Sequence, residues 1–250
     1  MRLYEEYILI YSVVNKYLKI YYTSMGKLYI VATPIGNLGD ISFRALETLK
    51  SVDTIACEDT RHSMRLLNHY GIRKPLISCR SQNEAHVALK IAELLEENKD
   101  VAYVSDAGTP GLSDPGNKLV QIVRTKGFDV IPIPGVSAFA ALLSSAGNSG
   151  KTVTFDGFLS PKPGKRRKRV KELLDREESF ILYESPFRIL KLIRDIAELE
   201  PQRFLLIGRE MTKIYEEFID GTAEEVLKTL EERKKIKGEF SLLVYERKKS

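Results

Sequence analysis

Between Ser105 and Gly116 the chain reads SDAGTPGLSDPG, with three glycines, two prolines and two aspartates directly after the apolar run Val101 to Val104. Glycine lets a ligand approach the backbone closely or supplies a positive φ, and proline stiffens an otherwise floppy loop. Three further segments have this character: ATPIGNLGD (Ala32 to Asp40), EDTR (Glu58 to Arg61) and PGVSA (Pro134 to Ala138). Asp106 is the first carboxylate past a buried strand, in place for a ribose hydroxyl or an ammonium. None of the four loops contains a lysine or Gly-x-Gly-x-x-Gly, so together they point to a nucleoside-type ligand without a polyphosphate. Tight turns capped by Asp and Ser are the competing reading of the same residues. The near-miss GNSGKT, Gly147 to Thr152, has Ser145 where a phosphate-binding loop needs its first glycine. A helix precedes it and a strand follows, the reverse of the order that makes backbone amides converge on a phosphate.

Loops of this kind must be held at strand ends. Short apolar runs predict strands at 28–33, 54–57, 76–79, 101–105 and 130–133, and helical stretches at 42–52, 61–70, 83–97 and 117–126 lie between them. In the third helix Val87, Ile91, Leu94 and Leu95 share one face. Strand and helix in alternation predict a mainly parallel sheet covered on both faces, with ligand loops at the carboxyl ends of its strands. A helix from near Val136 ends in SSAGNSG, which is the expected linker. The second half predicts a mixed α/β arrangement: strands at 152–158, 180–183, 204–207, 217–219 and 240–245, helices at 167–176, 186–199 and 223–234. The expected organisation is therefore an N-terminal α/β domain at 25–148 and a C-terminal α/β domain at 149–250. Residues 1–24 hold half the tyrosines of the chain and precede a second start-like Met25-Gly26-Lys27. They read as an extension outside the fold. Their apolar run is too short, and too interrupted by charge, to span a bilayer.

With 43% apolar and 29% charged residues the chain has enough material for a full core. Two cysteines and three scattered histidines show no metal-ligand spacing, so no metal is expected, and the setting reads as reducing and cytoplasmic. The net charge is +5, yet Lys162 to Lys171 alone carries seven basic residues and no acid, so the remainder is slightly acidic. Lys162, Lys165, Arg166, Arg167, Lys168 and Arg169 follow Pro161 in an expected mobile loop and are candidate RNA-phosphate contacts. Such contacts supply affinity without sequence information. A solvated charged face is the plain alternative.

The segments LYIVATPIGNLGDISFRALETL, EDTRHS, SDAGTPGLSDPG, PGVSA, FDGFL, YESPFR and GREMTK followed by YEE, in this order, resemble the RNA-modifying branch of the tetrapyrrole methylase family. The resemblance covers Lys27 to about Tyr245. It implies a two-domain α/β homodimer that binds S-adenosyl-L-methionine in the cleft between its domains. It further implies 2′-O-methylation of a cytidine in 16S ribosomal RNA, on the free RNA or the assembled small subunit. Carried onto matching positions, the resemblance puts Ile35, Asp106, Gly108, Thr109, Leu112, Ser137, Ala138 and Tyr183 against the cofactor. Two departures stand out. Ser78-Cys79-Arg80-Ser81-Gln82-Asn83-Glu84 and Phe187 lack histidines customary in the family, and Arg80 becomes a candidate RNA-phosphate contact.

A ribose hydroxyl is a weak nucleophile, so an enzyme of this kind must align it with the methyl donor and give its proton a destination. Glu184 and Glu210, at expected strand ends, are the candidate acceptors. Arg188, with Arg209, is the candidate clamp for the adjoining phosphate. Salt bridges within the protein are the alternative for each Glu–Arg pair. At the level of function, a tetrapyrrole C-methyltransferase and a non-catalytic basic RNA-binding module remain as alternatives.

Overall fold

The computed structural model describes residues 25–247. The tyrosine-rich segment 1–24 lies outside the described residues. The chain divides into two compact units. One takes in the chain up to Thr33 together with Ile41–Gly135, and the other Pro34–Asp40 and the chain from Val136 onward.

The first unit is built on a parallel sheet with strand order β3-β2-β4-β1-β5. Its strands are β1 (Leu28–Val31), β2 (Thr54–Cys57), β3 (Leu76–Ser78), β4 (Val101–Val104) and β5 (Val130–Ile133). Every residue of β2 and β4 is buried, as the sequences TIAC and VAYV require of inner strands. Pro132 has no N–H for a ladder and sits in β5, at the sheet edge. Helices α1 (Phe43–Ser51), α2 (Thr60–His69), α3 (Glu84–Glu96) and α4 (Asn117–Thr125) connect the strands. Ser42 caps α1 through the Ala45 N–H, and Asp59 caps α2 through the Arg61 N–H. The first turn of α4 is served from another helix. Buried Glu84 accepts the N–H groups of Gly116 and Leu119, both at 2.9 Å. A carboxylate is well placed there, because unpaired N–H groups and the helix dipole both favour negative charge.

The second unit holds a mixed sheet, β6-β7-β10-β8-β9. Strands β6 (Val153–Phe158) and β7 (Ser179–Glu184) are parallel, whereas β8 (Phe204–Arg209), β9 (Glu217–Thr222) and β10 (Phe240–Val244) pair antiparallel. One face is covered by α6 (Pro163–Leu174), α7 (Ile189–Leu199) and α8 (Ala223–Glu231), whose apolar residues bury against Phe180, Leu182, Leu205 and Leu242. Helix α5 (Ala138–Ser145) belongs to this unit as well. Its Leu142 packs with Ile181, Leu206, Met211 and Leu243. The boundary expected at 148 therefore falls after Gly135, because the apolar run of α5 finds its burial on β10 and its neighbours.

The start of the basic run was expected in a loop ahead of a helix from 167, and here the structure differs. Pro163 opens α6, where its missing N–H costs nothing, and Lys165 to Lys171 lie within the helix.

Candidate active site

In the first unit the loops after four strands are stitched together at the carboxyl edge of the sheet. Thr33 and Gly108 exchange two backbone hydrogen bonds, at 2.9 and 3.0 Å. Gly108 has φ +75°, a left-handed conformation that glycine adopts freely. The Asp59 N–H donates to Asp106 Oδ1 at 3.1 Å, and Arg80 Nε donates to the Glu58 carbonyl at 3.2 Å. Farther along, Leu112 N–H returns to the Thr109 carbonyl at 3.3 Å, and Gly111 and Gly116 take φ of +81° and +127°. A Cβ at Gly116 would stand 2.8 Å from the Tyr103 ring. The structure thus holds Asp106, Gly108, Thr109 and Leu112 on one loop that is hydrogen-bonded to the ends of β1 and β2. Burial, then the Asp106 charge, push the Glu58 carboxyl above its ordinary value, with Arg80 and the residue-106 N–H opposing.

The other expected cofactor residues lie in the second unit. Ile35 is half-buried in the short segment Pro34–Asp40. Beside it Gly36 lies so close under the Lys213 side chain that a Cβ would collide. Tyr183 meets the first turn of α5, since the Phe139 N–H donates to Tyr183 Oη at 2.7 Å. Ser137 precedes α5 without capping it, and its Oγ is shielded from solvent with no hydrogen-bond partner among the described residues. A buried hydroxyl without a partner costs about 1–3 kcal/mol. A nucleoside or amino-acid polar group reaching that oxygen removes the cost, so the residues present fit a cofactor of that chemistry.

The edge of the second sheet at which β7 and β8 end collects the expected catalytic groups. Phe240, the first residue of β10, lies opposite both Glu184 at the end of β7 and Arg209 at the end of β8. Glu184 is 2% exposed. Its Oε1 accepts from the Ser185 N–H at 2.8 Å and from Arg188 Nε and Nη2 at 2.7 and 2.6 Å, whereas its Oε2 is buried without a partner among the described residues. Arg188 also donates from Nη1 to the Leu159 carbonyl at 3.4 Å. Its fork is thus turned onto Glu184 and the end of β6, where the sequence suggested a phosphate clamp. Glu210 has φ +51°, and its Oε1 accepts from Lys213 Nζ and the Glu239 N–H, both at 2.9 Å. Burial raises its pKa, but Lys213, the Glu239 N–H and Arg209 outweigh burial and hold the carboxyl below its ordinary value. Arg209 is spent on the Lys237 carbonyl at 2.7 Å and on Glu217 at 3.2 Å. Lys213, which joins Glu210, Glu239 and the Gly36 turn, escaped the sequence reading. Its i, i+3 spacing from Glu210 was the available signal.

Along α6 the basic run separates into two populations. Arg166 is buried and bonds Asp195 at 2.7 Å. Arg167 pairs with Glu198, and Arg169 grips Asp156 through two bonds at 2.9 and 2.6 Å and Glu172 at 3.1 Å. The expectation that these arginines are phosphate contacts is corrected for Arg166, whose guanidinium points into the unit. Arg167 and Arg169 are neutralised by neighbouring carboxylates. Lys162, Lys165 and Lys168 remain exposed. Arg80 is exposed as well, in the first unit.

Among the described residues no helix is long and apolar enough to cross a membrane. The model of the tetrapyrrole (corrin/porphyrin) methylases matches residues 27–227. The chain is 49% identical over 218 residues to a protein of Borrelia garinii subsp. bavariensis named ribosomal RNA small subunit methyltransferase I, covering 87% of this chain and 97% of that one. A protein of the same name from Neisseria meningitidis serogroup B is 45% identical over 221 residues, covering 88% and 76%. The solved structure of a diphthine synthase superposes with a TM-score of 0.68 at 14% identity, covering 90% and 92%, which bears on the fold alone. Match and architecture agree: this chain belongs to the tetrapyrrole methylase family.

Proposed function

We propose that this protein is an S-adenosylmethionine-dependent methyltransferase that modifies the 2′-hydroxyl of a cytidine in 16S ribosomal RNA of the small subunit. The observation that carries the reading is a juxtaposition at one sheet edge. A buried carboxylate oxygen, Glu184 Oε2, has no partner among the described residues, and the exposed cations of α6 are all lysines. Arg188 links the two, binding Glu184 and the Leu159 carbonyl just ahead of Lys162. A polyanionic substrate suits that surface, and the names of the relatives point the same way.

When bound, S-adenosylmethionine supplies its methyl group from a sulfonium. The residues of the second unit to hold it are Ile35, Ser137, Ala138 and Tyr183. Ser137 Oγ gains the partner it lacks. Glu184 Oε2 takes the proton that the ribose hydroxyl gives up, while Arg188 keeps the carboxylate in place through Oε1. Glu210, held by Lys213, shapes the same edge. Lys162, Lys165 and Lys168 hold flanking phosphates as point charges. The same reading makes the protein a cytoplasmic homodimer. Mapping ribose methylation on small-subunit RNA from cells with and without the gene tests it. One cytidine should lose its 2′-O-methyl group in the deletion strain, and an unchanged map would refute the proposal.

A further inference from the structure

Two aromatic rings stand in solvent at the edge of the second sheet where β6 and β7 end. Phe187 is 88% exposed and Phe158 is 54% exposed. Leaving a phenylalanine unburied forgoes about 1.5–3 kcal/mol of burial energy. The two rings belong to adjoining loops. Phe158 ends β6 opposite Tyr183 of the parallel strand β7, and Phe187 lies in the turn between β7 and α7. Arg188 fastens these loops through the Leu159 carbonyl at 3.4 Å.

The Phe158 ring is also braced. It meets Tyr183 edge to face at 5.8 Å between centroids, Tyr183 meets Phe155 at 4.9 Å, and Phe155 meets Phe139 at 5.3 Å. Such a chain of rings presents Phe158 in a fixed orientation. Four residues beyond it the lysine face begins, with Lys162, Lys165 and Lys168 exposed while Arg166, Arg167 and Arg169 are paired with carboxylates. Cations that track a phosphate backbone beside exposed aromatic faces are the combination that binds single-stranded nucleic acid. Every base has a π-face to stack, and a duplex keeps its faces covered.

We propose that Phe158 and Phe187 form a stacking platform for unpaired bases next to the methylated nucleotide, with Lys162, Lys165 and Lys168 on the adjoining phosphates. This rests on the RNA reading above and adds a requirement to it: the target must be unstacked and single-stranded. Phe187 is the clean position to test, because its ring is almost wholly exposed. Phe187→Ala should raise KM for unmethylated small subunits about tenfold, with kcat held within a factor of about two and an unchanged melting temperature. Phe187→Tyr, which keeps the ring, should behave as the parent. Binding of a short single-stranded oligoribonucleotide should weaken in parallel in Phe187→Ala, with no change in its salt dependence. A fully paired RNA duplex should bind parent and variant alike. If the parent methylates small subunits and both Phe187→Ala and Phe158→Ala keep its KM, the platform is refuted and the RNA reading stands. A parent that methylates no small-subunit RNA refutes the RNA reading itself. If Phe187→Ala loses RNA only together with self-association in sedimentation, the rings form a contact between copies and the platform is again refuted.

Discussion

The two oxygens of Glu184 have different surroundings. Oε1 is committed to the Ser185 N–H and to Arg188, and Oε2 is buried without a partner among the described residues. The division separates two substitutions. Glu184→Gln keeps the shape but removes the base, so turnover should fall about 10²–10⁴-fold with calorimetric cofactor affinity little changed. Normal turnover in that variant would make the carboxylate structural. Arg188→Ala instead strands a buried charge and should lower stability by about 3 kcal/mol, read as a shifted denaturation midpoint. Had Arg188 been a free phosphate clamp, its loss would weaken RNA binding with little effect on stability.

At the scale of elements, α6 separates arginines paired with carboxylates from lysines that stay exposed. Neutralising Lys162, Lys165 and Lys168 should flatten the slope of log affinity for RNA against log salt, by about 0.7–0.9 for each phosphate these lysines no longer neutralise. Stability should stay within about 0.5 kcal/mol. Arg166→Ala should do the opposite, because it removes the partner of Asp195 from a nearly buried pair. The turn after β8 carries a pH dependence. Glu210 is held below its ordinary pKa by Lys213 and the Glu239 N–H, against the opposing effect of burial. A depressed carboxyl contributes stability that is present above its unfolded pKa and lost as pH falls through the folded one. The midpoint of urea unfolding should therefore drop on acidification below the ordinary Glu range, and Glu210→Gln should reduce that drop. Identical acid profiles for parent and variant would contradict this account.

For the whole molecule, the family match begins at residue 27, just past Met25. A chain beginning at Met25 should therefore fold with the parent's melting temperature, self-associate as the parent does and methylate small subunits at the same rate. A large fall in melting temperature would assign residues 1–24 to the folded structure. The division into units gives a second whole-chain feature. The backbone passes from one unit to the other after Thr33, returns after Asp40 and passes again after Gly135. Two of the four glycine- and proline-rich loops are therefore where the chain changes unit.

Much of this was legible in the chain itself. Runs such as TIAC and VAYV are apolar at nearly every position, and only an inner strand buries all four residues, so the parallel sheet followed from local pattern. The loop glycines were readable too, because a positive φ at Gly108, Gly111 and Gly116 is a local demand that other residues meet poorly. The motifs carried the family, and Glu184 stood out as the carboxylate ending a strand. What the pattern could not carry were choices between distant partners. Nothing near Arg166 announces Asp195, 29 residues on, yet that pair turns the arginine inward and leaves the outer face to lysine. Nothing in α5 says that its leucines prefer the second sheet. Strand β10, last in the chain, lies between β7 and β8 because its five buried residues need neighbours on both sides. Periodicity and backbone conformation are set within a few residues, whereas ion pairing and burial depend on what the folded chain brings alongside. That is why the elements and loops could be read from the sequence, and why only the tertiary structure decided which charges are paired within the protein and which stay exposed.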